Sequence, residues 1–381
     1  MTYQIGFVIE QALGHVTHGQ NLQKNVAQDP DVKAHWALPR WQTTGLGSKI
    51  PVYKSNWTVQ AGLQTRQMLR QIGRQATLDA IFFHTQITAV LAQDWMRKIP
   101  SIVSLDATPL QYDSLGEFYA HEAGPSALEN WKWRLNRDCY RTARHIVTWS
   151  EWAKQGLVDA YEVPAEKITV IPPGVNVNEW TNPTSRRYEQ GDPVKILFVG
   201  GNLERKGGLV LLEAFRTLRQ RLAAAATTSG GHEESPIELH LVTRDTLPPE
   251  PGLYVYNNMQ PNSQPLKELY YQSDLFCLPT FGDCLPMVLS EAGATGLPTI
   301  STNVAAIPEI VADGDTGFIV PPGNVEALTA VLQRLIIDPQ LRRHQGENAV
   351  QTVSALFDAQ ANARQLLHLI KEVAAENKTK I

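Results

Sequence analysis

Three cysteines in 381 residues, Cys139, Cys277 and Cys284, are too few and too far apart for a disulfide framework or a CxxC zinc site. Apolar runs are short; none approaches the roughly 20 residues of a transmembrane helix. The opening M-T-Y-Q-I-G-F-V-I-E reads as a strand and not as a secretory leader. With reduced thiols, these features point to a cytoplasmic protein. Net charge is only −4, so no global signal for nucleic acid exists. HExxH, HxxxH, GxxxxGK[ST] and GxGxxG are all missing, so zinc-protease, P-loop and dinucleotide chemistry are not indicated. Asp313-Gly314-Asp315 has the DxD form of some metal sites, but Thr316-Gly317 follows it and the run reads as a turn. No metal site is expected.

What is present indicates a folded α/β chain. Apolar residues are 43% and charged residues 19%, and 381 residues exceed one ordinary core, so two domains are expected. Lys and Arg number 17 against 16 Asp and Glu over residues 1–180, and 17 against 22 over the rest, so the second half is the acidic one. Ile5–Ile9 reads as a buried strand, Gly14 to Gly19 as a loop and Leu22 onward as a helix, the opening of a doubly wound unit. Gly14 is a candidate ligand contact there, although a plain βα turn is an equal reading. Two further strands end at His84 and at Asp106. In a parallel sheet both ends lie on one side, so the two side chains are candidate neighbours; capping or packing is the ordinary alternative for each. Glu129–Arg144 reads as a helix with a basic stripe and two tryptophans, Trp131 and Trp133. A solvated basic face with its tryptophans in the core is favoured over a membrane-docking face. Ser150 is placed to cap the next helix. The polar, proline-containing run 181–193 reads as a linker between domains 1–180 and 194–356, with residues 357–381 a final helical segment.

The second half restarts the alternation. Val194–Val199 is a strand, followed by the glycine loop 200–208 and a helix from Leu209. Glycines such as Gly201 let a backbone approach a diphosphate, and Arg205 and Lys206 neutralise its charge. Ala223–Ser235 is small and polar and reads as a surface loop. Ile307 to Val311 reads as the start of a helix. A second strand-to-helix junction, P-T-F-G-D-C-L-P-M-V-L-S-E, spans 279–291. Pro286 suits the first turn of its helix, leaving Asp283 at the mouth and Glu291 eight residues on. Eight helical residues rise about 12 Å, too far for a glycosidase acid pair at roughly 5–9.5 Å. The pair instead suits the two ends of an elongated ligand with anionic phosphate between, a nucleotide diphosphate sugar.

The runs F-V-G-G-N-L-E-R-K-G-G, D-C-L-P-M-V-L-S-E-A-G-A-T-G-L-P-T-I, S-T-N-V-A-A-I-P-E-I-V and D-T-G-F-I-V-P-P-G resemble the retaining glycosyltransferases of the GT-B fold, of the glycosyl transferases group 1 type. I-P-P-G-V-N and V-T-W-S-E-W resemble their first domain more loosely. The resemblance implies two Rossmann-like domains facing across a cleft, and a helix after residue 357 that returns to the first domain. It implies transfer of a hexose from a nucleotide diphosphate sugar, UDP- or GDP-linked, to an acceptor hydroxyl with retention, without cofactor or metal. Glu291 would hold the ribose and Asp283 the sugar. Backbone around Cys284, Leu285, Pro286 and Met287 would touch sugar or phosphate, and Arg205 and Lys206 would stabilise the departing diphosphate. The acceptor is a lipid, a polysaccharide or a metabolite in cell-envelope or polysaccharide biosynthesis, and peripheral contact of the first domain with the inner membrane face stays open. Four features depart from the pattern. Asp283 stands for the usual Glu, Cys284-Leu285-Pro286-Met287 for the usual F-G-L-V, Ala305-Ala306 for Gly-Gly, and Asp106 or His84 for the usual cleft histidine. Binding without turnover, or nucleotide-sugar epimerisation, are the alternatives.

Overall fold

The computed structural model describes residues 2–11, 15–42, 56–116, 124–184, 192–228 and 237–378. The chain divides into two compact units, Met1–Ser114, Ala120–Gly174 and Ala359–Ile381 in one, Leu115–Tyr119 and Val175–Asp358 in the other.

The first unit is a six-stranded parallel sheet of β1 (Tyr3–Val8), β2 (Val32–Ala37), β3 (Ala80–Phe83), β4 (Ser101–Leu105), β5 (His145–Thr148) and β6 (Ile168–Val170), in the order β2-β1-β3-β4-β5-β6. Its helices include α1 (His15–Val26), α2 (Trp57–Gly73), α3 (Pro109–Ser114), α4 (Ser126–Thr142) and α5 (Glu151–Tyr161). β3 and β4 are buried at every residue, as parallel strands covered on both faces must be. Asn56 and Ser150 cap α2 and α5 by accepting from Val59 N and Ala153 N, both at 3.1 Å.

The second unit is another six-stranded parallel sheet, β7 (Val194–Val199), β8 (Ile237–Val242), β9 (Leu253–Tyr256), β10 (Leu275–Cys277), β11 (Thr299–Thr302) and β12 (Gly317–Val320), in the order β12-β11-β10-β7-β8-β9. It carries α6 (Gly208–Thr228), α7 (Gln264–Gln272), α8 (Met287–Ala294), α9 (Val325–Ile337) and α10 (Pro339–Leu356). The last helix, α11 (Ala359–Lys378), belongs to the first unit. It buries Leu366, Leu367, Ile370 and Val373 against Ile5, Phe7, Phe82 and Ile102. At about 2 kcal/mol for each buried apolar side chain, that contact secures one face of the first sheet. The other face is covered by a core that includes Val8, Phe83, Val103, Tyr140 and Ile146.

Each strand order reverses once, between β1 and β3 and between β7 and β10. Loops diverge at such a reversal and leave a crevice beyond the strand ends, where ligands bind in open α/β sheets.

Several local expectations are corrected. The first helix begins at His15 and not near Leu22, so His15 and His18 are helical. β2 gave no strong alternating signal, because only Ala37 in it is fully buried. Residues 223–228 extend α6 and are not loop, since alanines favour helix; residues 229–235 lie outside the described part. Ile307–Glu309 is a single 3-10 turn. Trp131 is 57% exposed and so not in the core, whereas Trp133 packs inward and donates its indole N–H to the Ala160 carbonyl at 2.9 Å. Among the described residues no helix is long and apolar enough to cross a membrane.

Candidate functional site

In the second unit the loops after β7 and β10 flank the reversal, and they are joined to each other. Gly207 adopts φ +73°, and a Cβ there would lie 1.9 Å from the Pro279 carbonyl oxygen, so only glycine permits the approach. The Arg205 carbonyl accepts from Phe281 N at 2.9 Å and from the Thr280 hydroxyl at 3.2 Å. In return the Arg205 guanidinium donates to the Gly282 carbonyl at 2.7 Å. The Lys206 ammonium pairs with the Asp283 carboxylate, with the two side chains 14% and 15% exposed. Burial, then the adjacent Arg205, pull the Lys206 ammonium below the usual lysine range, with Cys284 opposing more weakly. Two cations and an acid therefore form one preorganised group at the switch point. A Cβ built on Gly201 would lie 3.5 Å from Arg244 Nε, in ordinary contact with that side chain.

Asp283 is thus not a lone acid at a helix mouth. α8 starts only at Met287, and Pro286 is its N-cap rather than part of its first turn, with no side-chain cap bond. The 12 Å helical spacing does not apply across the non-helical residues 283–286. Cys284, Leu285 and Pro286 are buried and Met287 partly so. The Cys284 carbonyl accepts from Ala306 N at 3.2 Å, next to Ala305, which is held at φ +48°. That backbone is costly for alanine and free for glycine, which explains physically why a Gly-Gly pair suits this turn.

Glu291, on α8, is 4% exposed and accepts from the Tyr270 hydroxyl of α7 at 3.0 Å. Desolvation raises its carboxyl to about 7, against smaller opposing effects of Tyr270 and Lys267. Tyr270 stacks on Phe276 and meets Trp180 edge-on. Tyr270 escaped the sequence reading because its partner lies 21 residues away, outside any helical spacing.

In the first unit the reversal holds a different group. His84 follows β3, is fully buried, and among the described residues has no hydrogen-bond partner on either ring nitrogen. His18 stacks on it at 4.8 Å between centroids, and His15 and Trp149 meet it at 5.2 and 5.5 Å. Burial first, then the neighbouring histidines, push His84 well below the usual imidazole range, and burial and His15 lower His18 to about 3. Asp106 accepts from the Tyr112 hydroxyl at 2.5 Å and lies 4.0 Å from His15 Nε2. His15 therefore touches both His84 and Asp106 and brings the two candidates into one cluster. Glu10, buried at the end of β1, accepts from Thr85 at 2.5 Å and from Trp57 at 2.6 Å. His15, His18, Tyr112 and Glu10 were missed; the H-x-x-H spacing of His15 and His18 on one helical face was the signal available. Gly14 lies outside the described residues. Among the described residues no group of three or more His, Cys, Asp or Glu side chains is placed to hold a metal ion.

Two six-stranded, doubly wound parallel sheets, with paired basic residues at one switch point, define a class that the comparisons also reach. Residues 193–338 match the family described as Glycosyl transferases group 1, and residues 27–179 match Glycosyltransferase Family 4. The chain belongs to the GT-B glycosyltransferases. It is similar to a D-inositol 3-phosphate glycosyltransferase of Corynebacterium aurimucosum, 29% identical over 209 residues, covering 51% of this chain and 49% of that protein. It is also similar to an MMP alpha-(1->4)-mannosyltransferase of Mycolicibacterium hassiacum, 27% identical over 248 residues, 62% of this chain and 56% of that one. The chain thus spans about half the length of the curated relatives it matches. Sucrose-phosphate synthase from Thermosynechococcus elongatus shares the fold with a TM-score of 0.78 at 15% identity, over 98% of this chain and 100% of that one. HepE of Anabaena in complex with UDP-glucose has a TM-score of 0.66 at 15% identity, over 99% and 100%.

Proposed function

We propose that this protein transfers a hexose from a nucleotide diphosphate sugar to an acceptor hydroxyl with retention of anomeric configuration and without a metal. The observation that carries the reading is the joined pair of switch-point loops, which holds Arg205 and Lys206 side by side against Gly282 and Asp283. As the bond from the anomeric carbon to the diphosphate breaks, negative charge grows on the leaving oxygen. Two preset cations lower the cost of that charge without reorganising. The acceptor oxygen forms the new bond to the same carbon, and its proton passes to the leaving diphosphate. Glu291 takes the ribose hydroxyls beside Tyr270. Asp283 orients Lys206 and contacts the sugar. The UDP-glucose complex of the fold relative HepE supports a uridine donor; a guanosine donor is the second choice. Asp106 and the histidine cluster belong to the acceptor step. Peripheral contact with the cytoplasmic face of a membrane is proposed for α4, on the exposed Trp131 beside exposed Arg134. Vesicle co-sedimentation that is unchanged in Trp131→Ala would remove that contact.

Incubating the full chain with UDP-, GDP- and ADP-glucose or -mannose tests the reaction. Release of nucleotide, followed by NMR of the transferred sugar, is expected to show one preferred donor and the donor's own anomeric configuration. Tight binding with no release under any acceptor, or interconversion of the sugar alone, would sink the reading.

A further inference from the structure

Away from both switch-point groups, the first unit contains a cavity of about 340 Å³. That volume lies in the range of small-ligand sites. Its wall is mostly apolar, with Val59 of α2, Ile87, Leu110 of α3, and Trp131 and Leu135 of α4. Leu110 and Trp131 are 46% and 57% exposed, so the apolar wall is open to solvent. Its charged groups are Asp113, Glu129 and Lys132, the last two paired at 2.9 Å, and Asn56, Thr58, Gln86 and Asn136 add polar atoms beside the larger apolar share.

The placement of α3 gives the cavity a role. Tyr112 of this helix donates to Asp106 at 2.5 Å, while Leu110 and Asp113 of the same helix line the cavity. Gln86, also in the wall, stands two residues after His84. The cavity thus shares the two strand-end loops after β3 and β4 with His84 and Asp106, to which His15 of α1 is packed. We infer that the cavity holds the apolar tail of an alkyl-chain acceptor whose hydroxyl end lies at the His15–Asp106 cluster. The transfer to that hydroxyl rests on the glycosyltransferase reading; the binding of the tail does not.

Calorimetric titration of the full chain with n-octyl β-D-glucopyranoside, below its micelle threshold, tests this against methyl β-D-glucopyranoside. Saturable binding is expected for the octyl compound, with the methyl compound at least about tenfold weaker. Leu110→Asp and Trp131→Ala alter exposed residues and leave the fold intact. Each is expected to weaken octyl binding by about tenfold while UDP affinity stays unchanged. Octyl binding equal in wild type and both variants, or equal affinity for the two glucosides, overturns the inference. Repeating the titration with phosphatidylcholine vesicles separates a soluble amphiphile from a bilayer chain: heat from the monomer alone supports the first, heat from both the second. Octyl binding without sugar transfer from any donor keeps the cavity and defeats the transferase reading. Transfer to the methyl compound as fast as to the octyl one does the reverse.

Discussion

The two sheets have one topology and opposite contents. At the β7/β10 reversal lie charges, Arg205 and Lys206 with Asp283, and Glu291 behind them on α8. At the β1/β3 reversal lie packed rings, His15, His18, His84 and Trp149, with Asp106 at their edge. The strand order decides where loops diverge; the side chains decide what each crevice presents, paired charges in one and stacked rings in the other. Similarity of fold therefore says little about which unit does which step.

The largest expected contrast is catalytic. Arg205→Ala should lower kcat on the order of a thousandfold, the loss of one preset donor at a developing anion, whereas His84→Ala should change acceptor KM more than kcat. Equal losses in both variants would erase the distinction between the units. Next is Gly207→Ala, which forces a methyl group into the Pro279 carbonyl at a positive φ. A cost of about 3 kcal/mol is expected in urea unfolding, together with weakened UDP binding. Wild-type stability in this variant would show that the loops are not held together through Gly207.

The third is a pH contrast. Glu291 sits in the fold at about 7, above its usual 4.5, so its contribution is full below about 4.5 and is lost as pH rises through 7. Glu291→Gln should therefore gain on wild type with rising pH, by up to about 3 kcal/mol at pH 8, read from urea midpoints at pH 5 and 8. A difference independent of pH would remove the buried-carboxyl account. The first unit runs the other way. His18 and His84 are held neutral, so their contribution is present above about 6.5 and is lost as pH falls towards 3. Hydrogen exchange should show the β1, β3 and α1 amides losing about 2 kcal/mol of protection between pH 7.5 and 5.5. Uniform loss across both units would contradict a local cause. The smallest effect is Ala305→Gly, which relieves φ +48° and should stabilise by about 1 kcal/mol.

Much of the second unit was legible because its chemistry is local. Glycines, cations and a proline stand at fixed offsets from apolar runs, so 200–208 and 279–291 could be read directly as loops between strands and helices. The joining of those loops could not, because Lys206 and Asp283 lie 77 residues apart. In the first unit His84 and Asp106 were visible as polar residues ending apolar strands. His15, the residue that links them, was read as loop because its helix has a weakly amphipathic and mostly polar start. Trp131 was assigned to the core on residue type alone, and its exposure follows from the direction its face of α4 takes.

By itself the sequence determined two α/β halves, their strands except β2, and which two loops of the second half carry cations and acids. Local propensity and burial period encode those features within a few residues. Tertiary structure alone decided that Lys206 is tied to Asp283, that Glu291 is buried against Tyr270, that three histidines meet, and that α3 stands beside an open apolar cavity. Each of these depends on strand order, which brings distant loops to one end of a sheet.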